Sequence, residues 1–388
     1  MHDDIYMLWL SSLVHQVGSR KLNFLLDAFG SASAIFKSSN EELREHMPRA
    51  HHAFEFMCQH KNLEYIETLL KKMESQGIVY ISRNNSRFPS LLKEIPDSPV
   101  GIFFIGTLPA DNIEKVAIIG SRSCSEYGLL TARLLAQPLA AAGIAIVSGM
   151  ARGVDSMAHR GALQGGGVTI AVLGCGVDIC YPAENRELRS EIIQKGCVIS
   201  EYAPGVRPAP AFFPARNRII SGLSRAVVVT EAGVKSGTLI TVDQAQEQGR
   251  EVLAVPGNIS SRLSQGTNQL IRDGAFPVSN HEDILNILGS TPKLGKTPKP
   301  SKVHKSKPNL NLSAQDLPKT PQISKNPNIS LAPDEKRVYD RLSLEPVSFD
   351  YLADVAEVDI GRLHLICTGL ELKGLAKKLP GARFIKNI

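Results

Sequence analysis

Val116-Ala117-Ile118-Ile119-Gly120-Ser121-Arg122 is an apolar run that stops at a glycine, followed at once by a hydroxyl and a guanidinium. A short, wholly apolar run of this kind reads as a strand buried on both faces. The pattern recurs downstream. Ile144–Val147, Val168–Leu173, Val198–Ser200, Ala226–Val229 and Val252–Val255 are further apolar runs, each closely followed by glycine or proline, and most are separated by helical stretches. Such alternation implies a parallel sheet covered by helices on both faces. Ligands on these sheets bind where the strands end at their carboxyl side. There this chain gathers its polar, glycine-rich loops.

The loops favour a flat anion. Gly120-Ser121-Arg122-Ser123 is not G-x-G-x-x-G, and no acid closes the second strand to hold a ribose, so a nicotinamide cofactor is disfavoured. Serine and arginine at a helix entrance do suit phosphate, through amides, helix dipole and a bidentate fork. The alternative is a tight turn with Arg122 on the surface. Ser148-Gly149-Met150-Ala151-Arg152-Gly153-Val154-Asp155 brings two glycines around Arg152, and Asp155 is placed to cap the following helix. His159 reads as a surface or packing residue of that helix. Leu173-Gly174-Cys175-Gly176 leads to another turn, Tyr181-Pro182-Ala183-Glu184-Asn185. Phe212-Phe213-Pro214-Ala215-Arg216-Asn217-Arg218 sets aromatics and arginines at a helix mouth, before the turn Lys235-Ser236-Gly237-Thr238. Aromatic faces beside guanidinium groups and exposed amides suit nucleotides.

Catalytic signatures are missing. There is no Walker lysine, no Ser/His/Asp or Cys/His set and no paired carboxylates. Glu201 and Glu231 sit at strand ends, where either serves as a general base, a helix cap or a partner orienting Arg216 or Arg218. The six cysteines have no metal-ligand spacing and read as free thiols of a reducing cytosol. Neither a metal nor a cofactor is expected. The acidic start, Met1-His2-Asp3-Asp4, is unlike a secretory signal, and Leu134–Met150 is broken by Gln137, Pro138 and Gly143. The expectation is a soluble, cytoplasmic protein without a membrane partner.

Charge separates the parts. The chain carries 44 Lys+Arg against 38 Asp+Glu, but residues 291–330 alone hold 8 lysines and 1 acid, leaving 36 bases and 37 acids elsewhere. Anion binding must therefore come from a local cluster rather than a whole-surface field. Four segments follow. Residues 1–77 read as a small helical domain, two short helices across Gly18-Ser19-Arg20 resembling a helix-hairpin-helix or SAM-like module, for nucleic-acid backbone contact or for packing. Residues 78–290 hold the sheet, and 291–332 form a Lys/Pro-rich linker expected to be flexible. Residues 333–388 resemble a winged helix, with a wing folded around Pro380-Gly381. Its candidate recognition helix, Ile360–Leu372, offers only Arg362, His364 and Lys373 beside Glu371, so partner contact or self-association competes with DNA readout.

In order, these loops resemble the DNA-processing protein A (Smf/DprA) family of bacteria. The resemblance rests on Val116–Arg122, Ser148–Asp155, Ala171–Gly176, Phe213–Ser224, Lys235–Thr238 and Val255-Pro256-Gly257-Asn258, in register from about 80 to 288. It implies an extended Rossmann fold, single-stranded DNA binding, a homodimer and loading of the RecA recombinase during natural transformation. Carried over by position, the DNA-contacting residues are Ser121, Arg122, Ser148, Gly149, Arg152, Arg216, Asn217, Arg218, Lys235, Ser236, Gly237 and Thr238. Phe213 stacks on bases, and Ile284, Leu285 and Leu288 form the dimer stripe. Phe212 departs from the family, either adding a stacking surface or packing inward. Two alternatives stand beside this. A nucleotide phosphoribohydrolase of the LOG type would need the glutamate of Pro-Gly-Gly-x-Gly-Thr-x-x-Glu, where this chain has Thr241. A sequence-specific regulator would read duplex through the winged helix.

Overall fold

The computed structural model of the chain describes residues 2–48, 50–289, 331–343, 346–356, 359–379 and 383–386. The segment 291–330, most of the expected linker, and the Pro380-Gly381 turn of the expected wing lie outside the described residues.

Nine strands form the main sheet: β1 Val79–Ser82, β2 Gly101–Gly106, β3 Lys115–Ile119, β4 Ala145–Ser148, β5 Thr169–Val172, β6 Cys197–Ser200, β7 Ala226–Val229, β8 Glu251–Ala254 and β9 Phe276–Pro277. Their order is β1-β2-β6-β5-β4-β3-β7-β8-β9. From β6 to β9 every pairing is parallel, with Val116 of β3 opposite Ala226 of β7. The six apolar runs of the sequence are β3 to β8. β1 and β2 add an antiparallel margin beside β6, so the sheet is mixed rather than purely parallel.

Strand alternation sorts the two faces. Val116 and Ile118 pack with Leu135, Leu139, Ala158 and Ala162 under the helices Glu126–Ala141 and Val154–Gln164. Ala117 and Ile119 pack with Ile219, Leu223, Val242 and Ala245 under the helices Phe212–Gly222 and Thr238–Glu247. Burial of so many aliphatic side chains, each contributing about 1.5–3 kcal/mol, is the main force holding the strands in this order.

The order reverses beside β3. The chain walks β3-β4-β5-β6 in one direction and then returns with β7 to the other side of β3. A crevice opens at such a switch point, because the loops leaving the two strands diverge.

Two expectations need correction. Ile284, Leu285 and Leu288 are 0, 5 and 4 % exposed and belong to the core with Val116 and Leu139, so they are unavailable as a dimer stripe. The helical segment 1–77 does not own a separate core. Trp9, Leu22, Leu25 and Met57 share one with Phe103 of β2, and the Ser11 hydroxyl meets the Tyr80 hydroxyl at 2.8 Å.

The C-terminal unit has its own core of Val338, Leu352, Leu363, Leu370 and Phe384. Helices Pro333–Arg341, Phe349–Ala356 and Ile360–Leu372 accompany a small sheet of β10 Val347–Ser348, β11 Ala376–Leu379 and β12 Arg383–Lys386, ordered β10-β12-β11. Arg362 of the candidate recognition helix pairs with Asp334 at 2.5 Å, and Lys373, which follows that helix, pairs with Glu335 at 2.6 Å.

Candidate functional site

A cavity of about 580 Å³ lies at the carboxyl ends of β3 and β7, the switch point of the sheet. That volume falls in the ordinary range of small-molecule sites, roughly 300–1,000 Å³. Its wall combines Ser121 and Arg122 after β3, Phe213 and Asn217 on the helix Phe212–Gly222, and Ser236, Gly237 and Thr238 after β7.

Glu231 ties the first of these loops down. It is buried, and its carboxylate accepts from the Ser125 amide at 2.8 Å and the Ser125 hydroxyl at 2.6 Å, while its own carbonyl accepts from the Ser121 amide at 2.9 Å. Ser125 in turn caps the helix Glu126–Ala141. Glu231 thus holds the capping serine in place, and Ser125 itself is the cap.

The loop after β4 is held against this one under strain. Met150 is buried with φ at 54°, a left-handed conformation costly for a side chain with a Cβ. Gly153, at φ 75°, approaches so closely that a Cβ would lie 2.5 Å from the Ser121 carbonyl. Asp155 is not the cap expected of it. It sits inside the first turn of the helix Val154–Gln164 and accepts from the amides of Gly149 and Ala151, at 3.2 and 3.4 Å. The Ser148 hydroxyl donates to the Ile118 carbonyl at 2.7 Å. Ser148 and Gly149 are both buried, so neither is exposed to a ligand.

Arg216 forms the floor. Only 3 % exposed, it donates to the carbonyls of Gly149, at 2.8 Å, and Val172, and its Nε has no partner among the described residues. Burial lowers it to about 10 against the attraction of Asp155, so it stays charged at neutral pH. Burial raises the Asp155 carboxyl, and Arg216 opposes the rise. Two arginines against this one aspartate make the cavity lining cationic.

The aromatic wall is wider than the sequence indicated. The guanidinium of Arg122 lies 5.2 Å from the centre of the Phe213 ring, and Tyr181 lies 5.4 Å from it at 38°. Tyr181, quoted in the sequence only as part of a turn, lines the cavity and is 43 % exposed. Its signal was an aromatic residue in a loop of the ligand end. Phe212 turns inward and stacks on Tyr202 at 4.4 Å.

Arg218, Arg152 and Lys235 do not line the cavity. Arg218 is buried on another side of its helix, donating to both Glu201 oxygens at 2.8 and 2.7 Å and to the Asp97 carbonyl at 3.0 Å. Burial pulls it down, but the Glu201 charge and hydrogen bonds outweigh this and raise it. Glu201 thus orients Arg218. Arg152 is exposed and paired with Glu184, and Lys235 is exposed on the loop beside the rim. The cavity assembles Ser121, Arg122, Phe213, Arg216, Asn217, Ser236, Gly237 and Thr238 of the expected set.

His159 is buried, its Nδ1 2.7 Å from the Thr169 hydroxyl, which donates to the Ile146 carbonyl. It packs. Among the described residues no group of His, Cys, Asp and Glu could hold a metal, and no helix is long and apolar enough to cross a membrane.

Residues 79–289 match the family model of DNA recombination-mediator protein A, and residues 322–382 match the DprA winged helix domain. The chain belongs to the DprA/Smf family. The Smf protein of Synechocystis sp. is 32% identical over 388 residues, covering 97% of each chain. The DNA processing protein DprA of Streptococcus pneumoniae is 44% identical over 216 residues, 53% of this chain and 76% of that protein. The X-ray structure of the latter superposes with a TM-score of 0.62 at 36% identity, covering 74% of this chain and 97% of that one. The DprA/Smf assignment fits the Rossmann-like sheet and the C-terminal winged helix.

Proposed function

We propose that this DprA/Smf member binds unpaired DNA in the switch-point cavity, without base preference and without altering it chemically, and thereby acts in DNA processing. The observation that carries the reading is the wall made by Phe213, Tyr181 and Arg122 above the floor of Arg216. Base stacking on an aromatic ring is indifferent to base identity and contributes roughly 1–3 kcal/mol per base. The arginines add a backbone contribution that weakens with salt. Duplex is disfavoured because its bases are already stacked on one another. The names of the relatives, a DNA processing protein and a recombination mediator, support the same direction.

The finer reading, taken from the family resemblance, is protection of incoming single strands and loading of RecA recombinase during natural transformation, by a homodimer in the cytoplasm. The dimer is proposed without Ile284, Leu285 and Leu288. An enzyme of the phosphoribohydrolase type is opposed by Thr241, which lines the cavity and has no carboxylate to act as a base. The deciding experiment is a fluorescence titration of oligo-dT against duplex of equal length. Preferential binding of oligo-dT supports the proposal; equal or tighter binding of duplex, or ribose release from a nucleoside monophosphate, defeats it.

A further inference from the structure

Outside the cavity rim, two adjoining loops hold aliphatic side chains out into water. Gly233-Val234-Lys235-Ser236 follows β7 and leaves Val234 60 % exposed. Pro256–Leu263 follows β8 and carries Ile259, at 90 % the most exposed of the large hydrophobic side chains among the described residues. Backbone bonds join the loops: the Ala232 amide donates to the Leu263 carbonyl, and the Gly266 amide to the Ala232 carbonyl, both at 2.8 Å.

The second loop is tied down rather than loose. Asn268 bonds both sides of Gly257, accepting from its amide at 3.1 Å and donating to its carbonyl at 3.0 Å. The Tyr127 hydroxyl donates to the Pro256 carbonyl at 2.9 Å. The Asn258 carboxamide oxygen accepts from the Ser260 amide and hydroxyl at 3.0 and 2.9 Å. A fixed turn that projects a β-branched side chain into solvent forgoes the gain of burying it and holds an apolar face open to a ligand.

Charge points to what covers it. No aspartate or glutamate occurs from Ala232 to Val242 or from Val252 to Arg272, while the exposed Lys235 and Arg262 stand on the two loops. Neither cation is drawn into an ion pair among the described residues. The surface is also continuous with the cavity, because Ser236, Gly237 and Thr238 end the first loop and line it.

We propose that a DNA strand leaving the cavity runs across this lip, its bases against Ile259 and Val234 and its phosphates beside Lys235 and Arg262. The inference rests on the reading of the cavity given above. Aliphatic side chains serve as wedges between bases, and every base offers an apolar face to them.

The test uses the full chain with oligo-dT of about four nucleotides, enough for the cavity alone, and of about twenty, enough to reach beyond it. Ile259→Ser should weaken the longer strand about fivefold and leave the shorter one unchanged. Arg262→Ala should reduce the salt slope for the longer strand by about 0.7. Both side chains are exposed, so thermal melts should match the parent. Unchanged affinity and slope for the longer strand in both variants would overturn the lip, as would equal losses on both lengths. Altered sedimentation of Ile259→Ser with DNA binding intact would assign the surface to a second copy of the chain instead. Failure of the unmodified chain to bind either oligonucleotide overturns the cavity reading and the lip with it.

Discussion

Arg122 lies with its guanidinium 5.2 Å from the centre of the Phe213 ring. The planar cation and the ring face one another along one wall of the cavity. A lysine keeps the charge but loses the planar stack. Arg122→Lys should therefore preserve the salt slope of oligo-dT binding while costing about 0.5–1 kcal/mol of affinity, read from titrations at several ionic strengths. A lysine variant equal to the parent at every salt would remove the stack from the account.

Tyr181 extends the ring wall from the opposite loop. Its partial exposure means that truncation leaves no core cavity. Tyr181→Ala should lower oligo-dT affinity by about 1 kcal/mol, at the low end for base stacking, with the melting temperature unchanged. Loss of stability without loss of affinity would make it a packing residue.

Arg218 and Glu201 form a buried pair with side chains 8 and 2 % exposed. Glu201→Gln leaves the guanidinium buried with its counter-charge gone, a change that typically costs about 3–5 kcal/mol. Denaturant unfolding should record that loss, while the fraction still folded binds oligo-dT with parental affinity. A specific affinity defect would return Arg218 to the DNA surface.

His159 makes stability depend on pH. Burial, with a smaller push from Arg216, lowers its folded value from 6.5 to about 3. Between these values the unfolded chain binds a proton that the folded chain refuses, so stability falls as pH drops below about 6.5, by at most about 1.4 kcal/mol per unit. Burial of Asp155 acts in the opposite sense, favouring the folded state as its carboxyl takes a proton. Urea unfolding across this range should show a smaller acid loss in His159→Asn than in the parent. Equal slopes would contradict the assignment.

Much of this was legible in the sequence. The apolar runs β3 to β8 were readable because strands buried on both faces carry no polar alternation, and the glycines after them marked the ligand end. β1 and β2 escaped that reading. β2 runs antiparallel to β6, so its terminal Gly106 lies at the end away from the cavity. Helix phase was the larger difficulty. Arg216 and Arg218 stand two apart, which places them on different sides of one helix, and the sequence alone could not say which side met the cavity. Ser148 and Gly149 sit at a strand end where the Ile118 carbonyl already takes the serine hydroxyl and the Asp155 carboxylate the glycine amide. The stripe Ile284, Leu285 and Leu288 looked alike as interface or as core; packing against Val116 and Leu139 decided it.

The most direct test is a salt series of oligo-dT titrations with Arg122→Ala and Phe213→Ala. Arg122→Ala should reduce the salt slope by about 0.7, and Phe213→Ala should keep the slope while weakening binding by about 1–3 kcal/mol, with both proteins folded. Parental affinity and slope in both variants would contradict the account.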